Sequence, residues 1–585
     1  MADRAERSGI SRRRFLASSA AAIAYSVWRP AFEIDAAQAG GGPAGFPPSV
    51  TLYKQAFENW AQDIAVDDLW TCAPRTASEV AEVANWACRD GYTLRPRGAM
   101  HNWSPLAVAE GTQPSAPIVM VDTTKYLKRM RIETGSAAAV RVETGATMEE
   151  MLAFVESSGY GMTAVPAPGD ITVGGALAIG GHGTAIPADG EQPLPGHTYG
   201  TVSNLVVALE AIVWDVRRRR YVVRRFERDD PRIAALLVHL GRAFITEATL
   251  RVGANQNLRC ISSVDIPASE LLGRGGPRTF DSFLHDTGRA EAIWFPFTSD
   301  PWLKVWSVSP SRPAGSRQVD HPYNYPFSDE LSPESAQAIR AGVLANPAST
   351  PGLGQAEYAE VAAGLRTYDC ADIWGPSKNL LLYVTQNTLR VTANGYAVLT
   401  SRHQVQRVIT EFAAAYQRLV AEYRALDRYP MNMPVEIRVT GLDRPDDCLV
   451  EGAQPTALSA LAPRPGMPWD VAVWLDILTF PTTAYSDDYY SEIERWMLGN
   501  YKPPYATVHP EWSKGWAYTA SRGAWTNAGF LRSRIPHEFT VRRPRAITWQ
   551  TTMNQLQALD PHEVFTSPLL RTLMRPRVRR AVGRD

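Results

Sequence analysis

The chain lacks the short motifs that announce the commonest metal, redox and nucleotide chemistries. Only five cysteines occur in 585 residues, at 72, 88, 260, 370 and 448, and no two form a CxxC pair. That excludes zinc ribbons and iron–sulfur ligand sets. An odd count leaves at least one thiol unpaired in a monomer, and buried, reduced thiols are the expectation. The ten histidines are scattered and none sits in HExxH, so no metal site is expected and a metal-dependent hydrolase is disfavoured. No GKS or GKT phosphate loop is present. Charge of one sign is missing too: Lys plus Arg and Asp plus Glu both number 60. The whole chain therefore gives no electrostatic case for nucleic acid or an anionic membrane. Beyond the N-terminus no apolar run is long enough to span a bilayer.

What the chain has in quantity is aromatic surface, with 17 Trp and 22 Tyr for a core or an apolar pocket. Its length predicts about two to four domains. The first 39 residues read as an address rather than as fold. Arg12-Arg13-Arg14 precede a modest Ala- and Ser-rich apolar stretch, and Ala37-Gln38-Ala39 offers a small-residue cleavage site. The pattern resembles a twin-arginine export signal, with an ordinary secretory signal as the alternative. Without this segment the formal net charge moves from 0 to −2. The Arg217–Arg220 run and the Arg-rich stretch 571–584 read as solvated surface.

Helix and strand patterns alternate up to about residue 255. Thr76 and Glu79 have capping-box spacing, Val80, Val83 and Ala87 share a helical face, and Gly91 can stop that helix. Residues 92–95, 118–121 and 140–143 read as short strands. Thr147 with Glu150 makes a second capping box, followed by an apolar face of Met151, Leu152 and Val155. Residues 205–214 and 244–252 read as longer strands. Beyond 255, a helix is expected over 401–424 and strands over 380–385 and 436–440. Pro- and Gly-rich loops are expected over 310–330 and 455–470.

The sharpest local feature is the run from Arg95 to Leu106, a short strand entering a polar loop: Arg97-Gly98-Ala99-Met100-His101-Asn102-Trp103-Ser104. It is not a GxGxxG turn between strand and helix. Backbone amides of such a loop can approach a pyrophosphate, and arginines can add charge-assisted contacts. From the residues alone His101 is open to four roles: metal ligand, general base, covalent flavin anchor or structural residue. A second punctuated stretch holds Gly169-Asp170, Gly174-Gly175 and Gly180-Gly181-His182-Gly183, where main chain can come close to a ligand.

These two segments, with Gly200-Thr201-Val202-Ser203-Asn204-Leu205 and Phe244-Ile245-Thr246-Glu247-Ala248-Thr249-Leu250, resemble the vanillyl-alcohol-oxidase/PCMH family of flavoproteins. Within it the chain is similar to the covalent-flavin, type II bacterial cholesterol oxidases. Glu291-Ala292-Ile293-Trp294-Phe295-Pro296-Phe297 and Pro434-Val435-Glu436-Ile437-Arg438 extend the likeness into the second half. The resemblance implies an α+β protein. A two-part PCMH-type FAD-binding domain, residues 41–255 with a C-terminal return at 551–585, would support a substrate domain over 256–550. That domain would contain a large antiparallel sheet flanked by helices.

The resemblance also implies sites. His101 would carry FAD covalently on the flavin 8-methyl carbon. Arg97, Gly98, Ala99, Met100, Asn102, Trp103 and Ser104 would bind the cofactor, with Asp170, Gly174, Gly175, Gly180, Gly181 and Gly183. Ser203 and Asn204 would lie along its path and Ile245 near its ring. His182 would either orient backbone or contact cofactor. Glu436, Arg438 and Glu291 would be catalytic. The i, i+2 spacing of Glu436 and Arg438 on a strand points both to one face, as it also would for a surface cross-linking pair. Glu436 would take the alcohol proton, Arg438 would stabilise developing negative charge, and Glu291 would be a second base candidate. Trp294, Phe295 and Phe297 would wall the apolar pocket.

The activity implied is oxidation of a sterol 3-hydroxyl by oxygen, with peroxide formed and isomerisation of the double bond. The partners implied are the sterol, oxygen and the twin-arginine machinery, around an exported monomer. A dehydrogenase of another bulky alcohol and an inactive sterol-binding flavoprotein are the competing expectations.

Overall fold

The computed structural model describes residues 42–329 and 331–574. The expected export segment and the last Arg-rich residues lie outside them. Among the described residues no helix is long and apolar enough to cross a membrane. All five cysteines are free, and four of them are buried.

Helix Ala77–Asp90 starts where the Thr76 side chain accepts from the Glu79 N–H and ends at Gly91, whose φ is 76°. The Glu79 carboxylate turns to the Arg75 N–H at 2.6 Å instead of to Thr76, so the expected capping box is half formed. The box at Thr147 and Glu150 is complete. Val80, Val83, Trp86 and Ala87 bury the apolar stripe of the first helix. Asn85 of the same helix exchanges two hydrogen bonds with the Tyr221 backbone, at 2.9 and 2.7 Å.

Two larger sheets, with a short pairing of Tyr160–Gly161 and Gly253–Ala254, make the first half. A mixed one runs in the order Thr51–Glu58, Ala65–Ala73, Ile118–Asp122, Thr93–Arg97. An antiparallel one runs Met130–Glu133, Ala139–Glu143, Phe244–Arg251, Val206–Asp215, Arg220–Glu227. Residues 560–565 return to this half. The Asp560 carboxylate accepts from Tyr221, Arg242 and the Val564 and Phe565 amides, and the Leu94 N–H donates to Val564 O at 2.8 Å.

The second half is built on one nine-stranded sheet that starts at Asn257. Its central strands, in order, are Asn257–Ser263, Trp302–Val308, Arg289–Trp294, Val435–Gly441, Val471–Thr479 and Thr392–Thr400, all antiparallel neighbours. Helix Val405–Ala425 covers one face. It buries Val405, Val408, Ile409, Phe412, Tyr416 and Leu419, the spacing of an apolar stripe. The helix begins four residues later than its sequence pattern suggested, after a tight turn at Arg402–Gln404.

One expected strand is absent. Residues 380–385 leave the short helix Ser377–Leu381 and continue as irregular chain. The apolar run there signals burial without choosing a period, and Leu380, Leu381 and Leu382 are buried in a non-strand path. The stretch 310–329 is a loop interrupted by strand Arg317–Gln318 and helix Pro326–Asp329.

Candidate active site

The uncovered face of the nine-stranded sheet looks across a cavity of ≈ 250 Å³ at the first half of the molecule. His101, Trp60, Gly180, Gly181 and His182 reach it from one side, and Glu291, Ile293, Glu436, Arg438 and Trp474 from the sheet. A further wall is apolar: Phe295, Phe327, Val361, Leu389, Met433 and Leu478.

Sheet register sets the polar end. Lys304 pairs with Glu291, Glu291 with Arg438, and Arg438 with Trp474, so the four lie in one row across four strands. The next row holds Trp302, Ile293, Glu436, Asp476 and Gly395. Directly paired residues project to the same side of a sheet, and so do residues two apart on one strand. Both rows therefore face the cavity.

The charges interlock. Lys304 Nζ lies 3.1 Å from Glu291 Oε2, and Tyr383 donates to the same oxygen at 2.8 Å. Arg438 approaches Glu291 at 4.0 Å and Glu436 at 3.4 Å, and donates to Asp476. Lys514 joins Asp476 at 2.5 Å to Glu511 at 3.2 Å, and Glu511 stands 3.8 Å from His182 Nε2. His182 stacks on Trp474 with centroids 3.6 Å apart, and its Nδ1 is 3.0 Å from Gly183 O. Burial, reinforced by Glu511, pushes Asp476 up to about 7 against the pull of Lys514 and Arg438. For Glu291 burial acts upward, yet Lys304, Arg438 and Tyr383 outweigh it and hold the carboxyl below its ordinary value. Glu511 is likewise held low, chiefly by Lys514 acting against burial.

On the opposite side His101 stacks on Trp60 at 3.7 Å, and Trp60 also carries the Arg390 guanidinium at 4.0 Å. Burial, with Arg390 and Lys514 nearby, pushes the imidazole down to about 3, so it is neutral. Its Nδ1 is buried without a hydrogen-bond partner, 3.9 Å from Asp170. The loop is fixed by its neighbours. The Ser104 N–H and hydroxyl donate to Ser513 O and Trp512 O at 3.0 Å each, and Trp103 Nε1 donates to Val391 O at 2.7 Å. Met100 takes φ 57° in the turn just before His101.

The other predicted cofactor residues frame this side at different depths. Trp103, Gly180 and Gly181 line the cavity with His101. Gly98 and Gly183 are required by packing within the protein. A Cβ on Gly98 would meet Thr172 Oγ1 at 2.5 Å, and one on Gly183 would meet Val165 N at 2.5 Å. Gly174 faces Thr144 in the same way, and Gly175 donates to Thr172 Oγ1 at the start of helix Val173–Ile179. Arg97 binds Ala56 O at 2.9 Å and Asn102 binds Ser104 O at 3.0 Å, while Ala99 lies between them in the loop. Ser203 and Asn204 are buried, and their side chains are engaged by Leu177 O, Thr198, Arg444 O, Asp447 and Arg228. Ile245 is buried in its strand, and its carbonyl accepts from Thr144.

Two expected wall residues are elsewhere. Strand alternation sends Glu291, Ile293 and Phe295 to the cavity and Trp294 to the far face, where it packs on Tyr416. Phe297 has left the strand at φ 62° and meets Tyr429 and Arg424. Lys304, Tyr383, Asp476, Glu511 and Lys514 escaped the sequence reading. Lys304 and Asp476 matter through cross-strand register, and Tyr383, Glu511 and Lys514 through loops that fold back onto the sheet; local pattern encodes neither.

The comparisons agree with this geometry. Residues 257–575 match the family model described as cholesterol oxidase, substrate-binding, and residues 70–215 match an FAD binding domain. A solvent-stable cholesterol oxidase is 52% identical, with TM-score 0.89, over 91% of this chain and 100% of the other. A cholesterol oxidase from Brevibacterium sterolicum is 40% identical, with TM-score 0.88, over 91% and 99%. The D-arabinono-1,4-lactone oxidase of Eremothecium gossypii is 24% identical over 265 residues, and the L-gulonolactone oxidase of Mus musculus is 24% identical over 252. The chain spans 43% and 49% of those two relatives, so that likeness is partial. With a family model matched over more than half its length and solved relatives matched end to end, the chain belongs to the cholesterol oxidase family, an α+β architecture that joins an FAD-binding domain to a sterol-oxidase substrate domain.

Proposed function

We propose that this protein oxidises the 3β-hydroxyl of cholesterol or a related sterol, with FAD held covalently by His101 and oxygen as the final acceptor. The products are a 3-ketosteroid and hydrogen peroxide, followed by movement of the Δ5 double bond to Δ4. Family membership makes the chain an FAD-dependent alcohol oxidase. The observation that supports the rest is one cavity with an apolar wall, a polar end fixed by sheet register, and His101 opening into the same space.

The residues present fit the cofactor. A neutral, buried imidazole with an unpartnered Nδ1 is what a covalent tether to the flavin 8-methyl carbon requires. Loop 98–104 and residues 170–184 would hold the rest of it. When bound, FAD supplies the acceptor for the hydride that leaves the alcohol carbon, a task no side chain performs. The chain's own residues do the remainder. The wall of Phe295, Phe327, Val361 and Leu389 takes the apolar sterol body out of water, at about 25 cal/mol per Å². Glu436 receives the hydroxyl proton. Arg438, 3.4 Å from it, offers positive charge to the alkoxide as it forms. Once it has released that proton, the same Glu436 carboxylate takes a proton from C4 of the ketosteroid and returns it at C6, which moves the double bond.

We further assign residues 41–255 and 551–585 to the FAD domain and 256–550 to the substrate domain. The protein is read as a monomer, exported through the twin-arginine route to the periplasm or medium. The decisive experiment denatures cofactor-replete mature protein, asks whether yellow flavin stays attached, and maps the modified peptide. Cholesterol is then added under oxygen, and peroxide and enone are followed. Colourless denatured protein with an unmodified 95–106 peptide refutes the tether. A fully loaded preparation that stays oxidised with sterols under anaerobic conditions refutes the activity.

A further inference from the structure

Lys304 is among the most deeply buried charges of the cavity. Its side chain is 1% exposed, and its ammonium is enclosed by aromatic rings: Tyr383 at 3.7 Å, Trp302 at 4.4 Å, Tyr325 at 5.2 Å and Trp306 at 6.0 Å from ring centroids. Cation–π attraction recovers part of the cost of removing an ammonium from water, and the Glu291 carboxylate at 3.1 Å recovers more. Lys304 lines the cavity itself, inside this ring of aromatics, and the carboxylate it meets there is Glu291.

Glu291 is held from three sides. Lys304 comes from strand Trp302–Val308, Arg438 from strand Val435–Gly441, and Tyr383 from the chain after helix Ser377–Leu381. The Cys260 thiol on strand Asn257–Ser263 also senses its charge. Oε2 takes both Lys304 and Tyr383, and Oε1 faces Arg438. A carboxylate with one oxygen so occupied and the other turned to a guanidinium is poorly placed to receive a proton from a substrate.

We infer that Lys304 is a positioning residue: it fixes Glu291 as a permanent anion that orients Arg438, and so leaves Glu436 as the carboxylate free to exchange protons with the sterol. The inference rests on the oxidase reading above for its consequence, and on the caged ion pair for its substance. Glu436 has the contrasting environment, with a side chain 25% exposed and Arg438 as its ionic partner at 3.4 Å.

The test is the pH profile of anaerobic flavin reduction by cholesterol in the holoenzyme and in Lys304→Met, alone and combined with Glu291→Gln. Without its ammonium, buried Glu291 gains a proton at higher pH and Arg438 loses its orienting anion on the acid side. The acid limb of the Lys304→Met profile is expected to move up by about one pH unit or more, a loss of roughly tenfold at a fixed acidic pH that is regained as pH rises. In the Glu291→Gln background the same substitution should leave the limb where Glu291→Gln alone puts it. A limb unmoved in Lys304→Met overturns the inference. So does a limb moved equally in both backgrounds, since Lys304 would then act without Glu291.

If Lys304→Met does not fold with flavin bound, Tyr383→Phe decides. It removes one donor to Glu291 and should move the limb in the same direction by a smaller amount, and an unmoved limb overturns the inference. Failure of the oxidase reading itself looks different, because the unsubstituted enzyme would then show no reduction by cholesterol at any pH.

Discussion

Gly395 is the cross-strand partner of Asp476, and the side chain it lacks leaves the space through which Lys514 and Glu511 reach that carboxylate. A Cβ at 395 would stand 2.6 Å from Asp476 Oδ1, 2.6 Å from Lys514 Cδ and 2.9 Å from Glu511 Oε2. Gly395→Ala should therefore push the three charges apart. Overpacking of this kind costs about 1–3 kcal/mol of stability. The rate of anaerobic flavin reduction should fall with it, because Asp476 anchors Arg438. Thermal unfolding and single-turnover reduction measure the two effects, and a variant equal to the parent in both would show that the cluster has slack.

Glu436→Gln keeps shape and hydrogen bonding but cannot take up a proton. Stopped-flow reduction by cholesterol without oxygen should slow by roughly 10²–10⁴-fold. A correctly folded, flavin-loaded variant that is reduced at the parental rate removes Glu436 from the proton-accepting role.

His101→Ala should leave a protein that still binds FAD through loop 98–104 and residues 170–184 but releases it on acid precipitation. The supernatant turns yellow and the 95–106 peptide has its unmodified mass. Pigment that stays with the precipitated variant would mean the bond is made elsewhere.

Glu494 gives a pH signature of stability. It is buried in helix Ser486–Asn500, and burial raises its carboxyl to about 7 although Tyr396 and the Ala517 and Tyr518 amides donate to it. A folded-state value above the unfolded one, near 4.3, means that the folded chain holds the proton more tightly. Its contribution is full below about pH 4.3 and is lost as pH rises through about 7. Melting temperature should thus decline more steeply across that window in the parent than in Glu494→Gln. Parallel curves for the two would place the proton on another group.

Much of the His101 side of the cavity was legible because its signals are local. The Gly98–Ser104 loop and the Gly180–Gly183 stretch are contiguous, and the helix at Ala77–Asp90 announces its start and stop in single residues. The pair Glu436 and Arg438 was also visible, since i, i+2 spacing on a strand is a one-strand property. Asp476 and Lys304 were not, because their relation to Glu436 and Glu291 exists only once four strands are in register. Trp294 illustrates the reverse error. Beside Phe295 in sequence, it shares the same apolar signal, and only the start of the strand's alternation decides which of the two sees the cavity.

The hydroxyl of Ser104 and the carbonyl of Trp512 are joined across 408 positions of sequence. The turn that presents His101 is therefore completed by chain made long after the turn itself. Under the proposed tether, bond formation at His101 would follow docking of the two halves, and truncation upstream of residue 512 should yield a product that gives up its flavin on acid precipitation even where the first half folds.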